Sequence, residues 1–462
     1  MDCDSGAFAS DRASSVSGGR IMRTSIGIGI IVTLILTLSI SLVLGACDTG
    51  DNKTIDPPMA RPAGESPQTS QATAEGPTEN TGETKNAEKR VITIGNLTDK
   101  TGVSANAMTV IDTALQDLVR YYNDNNLIPG IELEVIEYDG QWDPSKDVPG
   151  YEWLRGKGAD LIYTCQTFTP ITLMPRVNAD RVPLYAAAVD IKKLTTPGYV
   201  FCMGIIPQQE VYTLLPWIAE NDWDYKAKGP AKIGGVGWPD TYCPSFFEAT
   251  ERYAKAHPDQ FEYTGGYLTN YSFVWGHEVE KLMDSDYVFP NSIMTSFVRE
   301  YRDTGGKAKF IGTDVVAAFM SMVDEVGLWD EMDGALYIRS SQWWNEQGKL
   351  IDLTNQILRQ YRPGEADEIT RGGSGYLAVN NAYLVLECIK ATVEAVGPEN
   401  FTSEALYQAT QQISVEFGGV KHYSYTDSKR TAVDSLAIYR MDGEKADIFR
   451  VDDQWLPVRY EP

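Results

Sequence analysis

Catalysis, metal binding and thiol chemistry need particular side chains brought together, and this sequence supplies few of them. Its three histidines, His257, His277 and His422, stand far apart, and its six cysteines form no C-x-x-C pair. No histidine- or cysteine-built metal centre is therefore indicated. No P-loop, G-x-S-x-G elbow or kinase signature occurs, and no G-x-G-x-x-G follows a strand with an acidic residue about twenty positions on. Gly234-Gly235-Val236-Gly237 imitates a phosphate loop but lacks the Lys-Ser/Thr ending, and it reads as a glycine-tolerant buried strand. Sixty-four acidic against forty basic residues leave a formal charge of −24. That balance repels phosphate backbones, which excludes nucleic acid, and favours cationic partners. With 43% hydrophobic and 23% charged residues, the 462-residue chain is of globular composition and long enough for two to four domains.

The one cysteine with a defined chemistry is Cys47. An apolar run over residues 25–46 follows Arg20 and Arg23 and is long enough to cross a bilayer. It reads either as a permanent membrane helix or as an export signal. Leu44-Gly45-Ala46-Cys47 resembles a lipobox, in which small residues precede a cysteine that receives a diacylglycerol before cleavage, so lipidation is expected at Cys47. Met22 would serve as an alternative start with a short basic flank. Residues 48–90 are rich in Pro, Thr, Ser, Glu, Gly and Asn, with almost no large apolar side chains, and predict a disordered stalk. The folded part would then sit outside the cytoplasmic membrane, tethered to its outer face.

The pattern changes at Val91. Residues 91–95 (VITIG) read as a buried strand, and a helix over about 105–123 carries apolar residues at helical spacing, from Val110 and Ile111 to Val119 and Tyr122. Strands follow near 131–138, 161–164, 182–188, 199–203, 231–236, 261–264, 287–289, 308–311 and 335–338. Helices fall between most of them, notably 246–256, 275–283 and 293–302. A long helix over 376–396, a shorter one over 403–411 and a terminal hairpin (436–441 with 447–451) complete the pattern. Alternation of this kind predicts an α/β protein with parallel sheets covered by helices on both faces.

The stretches VITIGNLTDKTGVSA, GADLIYTCQTFTP, VPLYAAAVDIKKLT, DTYCPSF and KAKFIGTDVV stand in that order along the chain. As a set they resemble the leucine/isoleucine/valine-binding family, the type I periplasmic solute-binding proteins of ABC transporters, over nearly the whole mature chain. The resemblance implies two Rossmann-like lobes joined by three hinge crossings, closing on a ligand like a flytrap. Crossings are expected near 205–208, 338–342 and 421–425. The first lobe would be 91–206 plus 341–422, and the second 207–340 plus 423–462.

The same resemblance implies the site. Thr167, in the loop after the third strand, stands where the family holds a ligand carboxylate with a hydroxyl, or else is a surface loop threonine. Ala188 would contribute backbone contacts. Asp190 stands where the family has a threonine; it would face a positive group, or else cap the following turn. Tyr242 would cover the ligand from the second lobe, or else be packed. Asp314 would receive a ligand ammonium through a charge-assisted contact. Asn106 and Trp238 would stand in the cleft wall, with Trp343 and Trp344 packing the second crossing. Cys165 and Cys202 fall near the ends of two strands and could approach each other as a disulfide. The expected function is capture of an amino acid or related amine or amide and delivery to an ABC permease, by a monomer needing no cofactor or metal and doing no covalent chemistry. A ligand-sensing module for a membrane receptor, or an exported hydrolase, would be the alternatives.

Overall fold

The computed structural model describes residues 89–194 and 197–462. The apolar run, Cys47 and the stalk through residue 88 lie outside the described residues. No helix among the described residues is long and apolar enough to cross a membrane.

The chain opens with β1 (Arg90–Thr98), α1 (Ala105–Asp124), β2 (Ile131–Asp139), α2 (Asp147–Gly156), β3 (Leu161–Thr164), α3 (Thr169–Asp180), β4 (Leu184–Ala188) and β5 (Val200–Ile205). All five strands run parallel in the order β2-β1-β3-β4-β5. Because helices cover both faces, the inner strands run buried along their length; every residue of β3 and β5 is buried, whereas the edge strand β2 alternates buried Ile131 and Leu133 with Glu132 and exposed Glu134. In α1, Met108, Ile111, Leu115, Leu118, Val119 and Tyr122 recur at helical spacing, and each is at least nine-tenths buried.

After Ile205 the chain crosses to α4 (Pro207–Asn221) and α5 (Tyr225–Lys228), then builds a second sheet. Its elements are β6 (Ala231–Gly237), α6 (Tyr242–Ala256), β7 (Phe261–Leu268), α7 (Gly276–Leu282), β8 (Tyr287–Pro290), α8 (Thr295–Asp303), β9 (Lys309–Thr313), α9 (Asp314–Ala317), α10 (Met320–Val326) and β10 (Leu336–Arg339). Its parallel strands lie in the order β7-β6-β8-β9-β10, so both lobes share one winding. The glycine run is β6 itself. A Cβ on Gly235 would stand 2.8 Å from a ring carbon of Phe247, so the missing side chain lets α6 pack close to the sheet.

A second crossing follows β10 and leads to α11 (Lys349–Tyr361), α12 (Ala366–Arg371), α13 (Val379–Val396) and α14 (Ser403–Thr410); α11 and α13 pack on α1 of the first lobe. The short strands β11 (Ser414–Phe417) and β12 (Val420–Ser424) pair with each other. The third crossing lies beyond the expected 421–425. Residues 430–432 still run beside β5, with Cys202 N donating to Arg430 O at 2.8 Å and Ala432 N to Cys202 O at 2.8 Å. Buried Arg430 fastens this segment by donating to Val200 O (3.0 Å) and Leu194 O (2.9 Å). The chain then joins the second sheet as β13 (Ser435–Asp442), antiparallel to β10, and forms the expected hairpin with β14 (Asp447–Arg450). Cys165, Cys202, Cys243 and Cys388 are all free thiols, so the suggested Cys165–Cys202 bridge is absent. The Cys202 thiol donates instead to Ile205 O at 3.4 Å.

Candidate ligand cleft

In an open parallel sheet, small molecules bind beyond the carboxyl ends of the strands, where the winding changes direction. Here two such edges border one cleft of about 1020 Å³, its open mouth included. The first lobe contributes Ser104, Met108 and Ile111 around α1, Trp142 after β2, Cys165 and Thr167 after β3, Ala188 ending β4, and Ile205 ending β5. The second contributes Trp238 and Asp240 after β6, Ser292 and Ile293 after β8, Asp314, Val315 and Phe319 after β9, and Ser340 and Ser341 after β10. Ser374, Leu377, Asn380 and Asn381, at and before the start of α13, complete the wall.

The loops that bring these side chains in are fixed by local hydrogen bonds. Asp99 accepts from Gly102 N (2.5 Å), Ser104 N (3.0 Å) and Ser104 Oγ (2.8 Å), which shapes the turn between β1 and α1. Thr164 Oγ1 donates to Leu97 O at 2.8 Å, and Gln166 Nε2 to Thr98 O at 3.0 Å, holding the β3 loop against β1. Trp142 enters the wall through a left-handed backbone: Gln141 and Trp142 have φ of 54° and 53°. Such a conformation costs on the order of 1 kcal/mol or more for a bulky residue and persists where its surroundings hold it. The Phe168 ring, edge-on at 5.2 Å, is one such neighbour.

Thr167, Ala188 and Asp314 lie together on the cleft wall. The Thr167 hydroxyl is buried and has no hydrogen-bond partner among the described residues. Asp314 stands differently from the expected ammonium receptor. The wholly buried Arg339 places Nη2 2.9 Å from its Oδ1, while Ser340 N and Ser340 Oγ donate to Oδ2 at 2.9 and 3.0 Å. The Arg339 approach is an ion pair rather than a well-directed hydrogen bond, since Oδ1, Nε and Nη1 all lack one. The guanidinium lies over the rings of Trp343 (4.4 Å) and Tyr439 (5.5 Å).

Three expected site residues fall off the wall. Tyr242 is fully buried at the start of α6, against Phe246 and Phe289. Its hydroxyl donates to Glu210 Oε2 at 2.6 Å and lies 2.8 Å from Thr313 Oγ1, so it is a core residue rather than a lid. Burial, reinforced by nearby Asp314, pushes the Glu210 carboxyl well above its usual range, although the Tyr242 hydrogen bond opposes the rise. Asp190 caps the next turn: its Oδ1 accepts from Lys192 N (2.9 Å) and Gln208 Nε2 (3.2 Å). Asn106 is exposed on α1 and meets Ser321 of the second lobe at 3.3 Å, bridging the lobes rather than lining the cleft. Trp343 and Trp344 are packed, their ring nitrogens donating to Asp447 (2.5 Å) and Gly373 O (2.8 Å).

Trp142, Asp240, Asn380 and Asn381 line the cleft without having been singled out from sequence. Asp240 had a signal: it stands two residues before Tyr242 in DTYCP, in the same strand-to-helix turn. Its Oδ1 accepts from Cys243 N at 2.9 Å, and burial pushes its carboxyl up to about 6, with the Cys243 and Tyr242 amides opposing the rise. Among the described residues, the wall carries no lysine, arginine or histidine.

Further contacts join the lobes around the cleft. Lys192 pairs with Glu248. The loop over 372–375 docks on α9 and α10, with Ser374 N donating to Ala317 O (3.0 Å), Ser374 Oγ to Asp314 O (3.1 Å) and Ser321 N to Gly372 O (3.1 Å).

Two sheets of one winding, three crossings and a cleft at their carboxyl edges define the type I periplasmic-binding fold, an α/β flytrap. The chain belongs to the periplasmic binding protein family, whose model, described as "Periplasmic binding protein", matches residues 91–446. Among solved structures it is similar to a branched chain amino acid ABC transporter protein from Thermus thermophilus with bound valine, at 18% identity and a TM-score of 0.67, covering 80% of this chain and 97% of that one. A fatty acid ABC transporter substrate-binding protein from Thermomonospora curvata is similar at 18% identity and 0.65, covering 80% and 95%. A solute binding protein from R. palustris in complex with benzoate is similar at 13% identity and 0.65, covering 80% and 98%. No curated protein matches the chain.

Proposed function

We propose that this chain is the extracytoplasmic solute-binding component of an ABC importer, lipid-anchored through Cys47, and that it captures an amino acid or a related amine or amide with an apolar body. The observation that carries this reading is the composition of the cleft wall. Met108, Ile111, Ile205, Ile293, Phe319 and Leu377 suit an apolar body, the free Thr167 hydroxyl and the Ala188 backbone suit a polar end, and the charged groups among the described lining residues are carboxylates. Structural neighbours hold valine or benzoate, and one is named for fatty acids, so the fold itself does not select the solute. Charge favours the amine: a solute carrying only a carboxylate, about 5 Å from an unpaired aspartate, would be repelled by about 3 kcal/mol at an effective dielectric of about 20.

A thermal-shift screen of the purified chain with aliphatic amino acids, their amides, simple amines and matching carboxylates tests the reading, because a ligand specific to the folded state raises the melting point. Amines or amino acids should raise it and the amine-free carboxylates should not. The reverse order would refute the assigned solute class.

A further inference from the structure

We propose that Asp240, and not Asp314, is the residue that receives the positive end of the solute and so sets the preference of the cleft for amines. The proposal rests on the reading of the cleft as an amine site and names the group that makes it one. Two carboxylates reach the wall. The charge of Asp314 is offset within the protein by Arg339, which has no exposed side-chain surface and pairs with no other carboxylate among the described residues. Drawing Asp314 towards a ligand would leave that guanidinium buried and uncompensated, which is strongly unfavourable.

Asp240 has no such partner. Among the described residues no lysine, arginine or histidine pairs with it, and the amide hydrogen bond from Cys243 leaves its negative charge in place. The other titratable side chains on the wall are Asp314 and Cys165, and burial pushes the Cys165 thiol up to about 12, so it adds no charge near neutrality. The Asp240 carboxyl, pushed up to about 6, is that of an ion held in a partly dry wall without a counter-ion, and it stays mainly ionised at pH 7. Beside it, Trp238 is buried against Tyr271 (5.4 Å) and Phe273 (5.2 Å), which lays an apolar surface along that end of the cleft. An ammonium arriving there meets a charge-assisted contact in a low-dielectric setting. The unpartnered Thr167 hydroxyl, on the opposite lobe, independently marks the cleft as built for a polar ligand.

Asp240→Asn separates the charge from the turn, because the amide oxygen can still accept from Cys243 N. Isothermal titration of the purified full chain at neutral pH would use L-leucine, L-leucinamide and isoamylamine. Each would be set beside its amine-free counterpart: isocaproate, isocaproamide and isoamyl alcohol. The wild type should prefer the amine in at least one pair. Asp240→Asn should weaken that amine about tenfold or more while leaving its counterpart within about threefold. Asp314→Asn combined with Arg339→Met, which removes the pair together and leaves no uncompensated guanidinium, should keep the preference. An Asp240→Asn variant with the wild-type preference, or that double variant without it, overturns the assignment. A wild-type chain that binds no member of the panel overturns the amine reading itself, and the assignment with it.

Discussion

Replacing Asp314 with alanine should unfold the protein more readily, and by an amount the structure allows to be reckoned. The substitution removes the carboxylate that, alone among the described residues, pairs with Arg339, a side chain with no exposed surface. Removing one partner of a buried ion pair costs about 3–5 kcal/mol. Asp314 itself is 19% exposed, which places the ion-pair loss near the lower end, about 3 kcal/mol. Ser340 N and Oγ lose their acceptor as well, at about 1 kcal/mol each before water refills the site. A loss of about 3–5 kcal/mol is therefore expected in urea unfolding followed by tryptophan fluorescence. Asp314→Ala combined with Arg339→Met should recover most of it, because a buried pair replaced by apolar side chains is often close to neutral. A single variant that loses under about 1 kcal/mol would show that Arg339 does not depend on Asp314 for its charge balance. So would a double variant as unstable as the two single losses summed.

Two other perturbations follow from the same geometry. Gly373 has φ of 104°, and a Cβ there would stand 2.3 Å from Ala317 O, so Gly373→Ala should push the 372–375 loop off α9 and α10. Solute affinity should fall about tenfold or more, as closure loses these contacts, and hydrogen exchange at Ser321 N and Ser374 N should speed up. The Asp112 carboxyl is pushed up to about 7, mainly by burial and further by Glu137, against hydrogen bonds from Asn96 (2.7 Å) and Thr98 (2.9 Å). Its folded value lies above its unfolded one, so its contribution to stability is complete below about pH 4 and is lost as pH rises through about 7. The largest loss it can cause is about 4 kcal/mol. Melting temperatures measured from pH 5 to 8 should therefore fall less steeply in Asp112→Asn than in the parent; equal slopes would remove Asp112 as the cause.

The fold was legible because parallel strands buried on both faces leave unbroken apolar runs. LIYT became β3 at its expected limits, and the stripe through Ile111, Leu118 and Val119 became α1. Thr167, Ala188 and Asp314 were expected from the family resemblance, and they line the cleft because they sit at or just after strand ends, which in this winding face it. What local spacing does not carry is the phase of a helix or a partner on another strand. Tyr242 and Asp240 share one turn, and the packing of Tyr242 on Phe246 and Phe289 leaves Asp240 on the wall. Arg339 reaches Asp314 because β9 and β10 lie side by side, a register set by the whole sheet. The late third crossing depends on Arg430 reaching Val200 and Leu194, more than two hundred residues away in sequence.

The proposed capture of an amine-bearing, largely apolar solute through Thr167 on one lobe and a free carboxylate on the other can be probed by calorimetric titration of the purified wild type and Thr167→Val with the amino acid that most raises the melting point. One solute per chain is expected, with a loss of about tenfold or more when the hydroxyl is removed. Binding of amine-free carboxylates in preference to amines, or an affinity unchanged in Thr167→Val, would contradict the proposed capture.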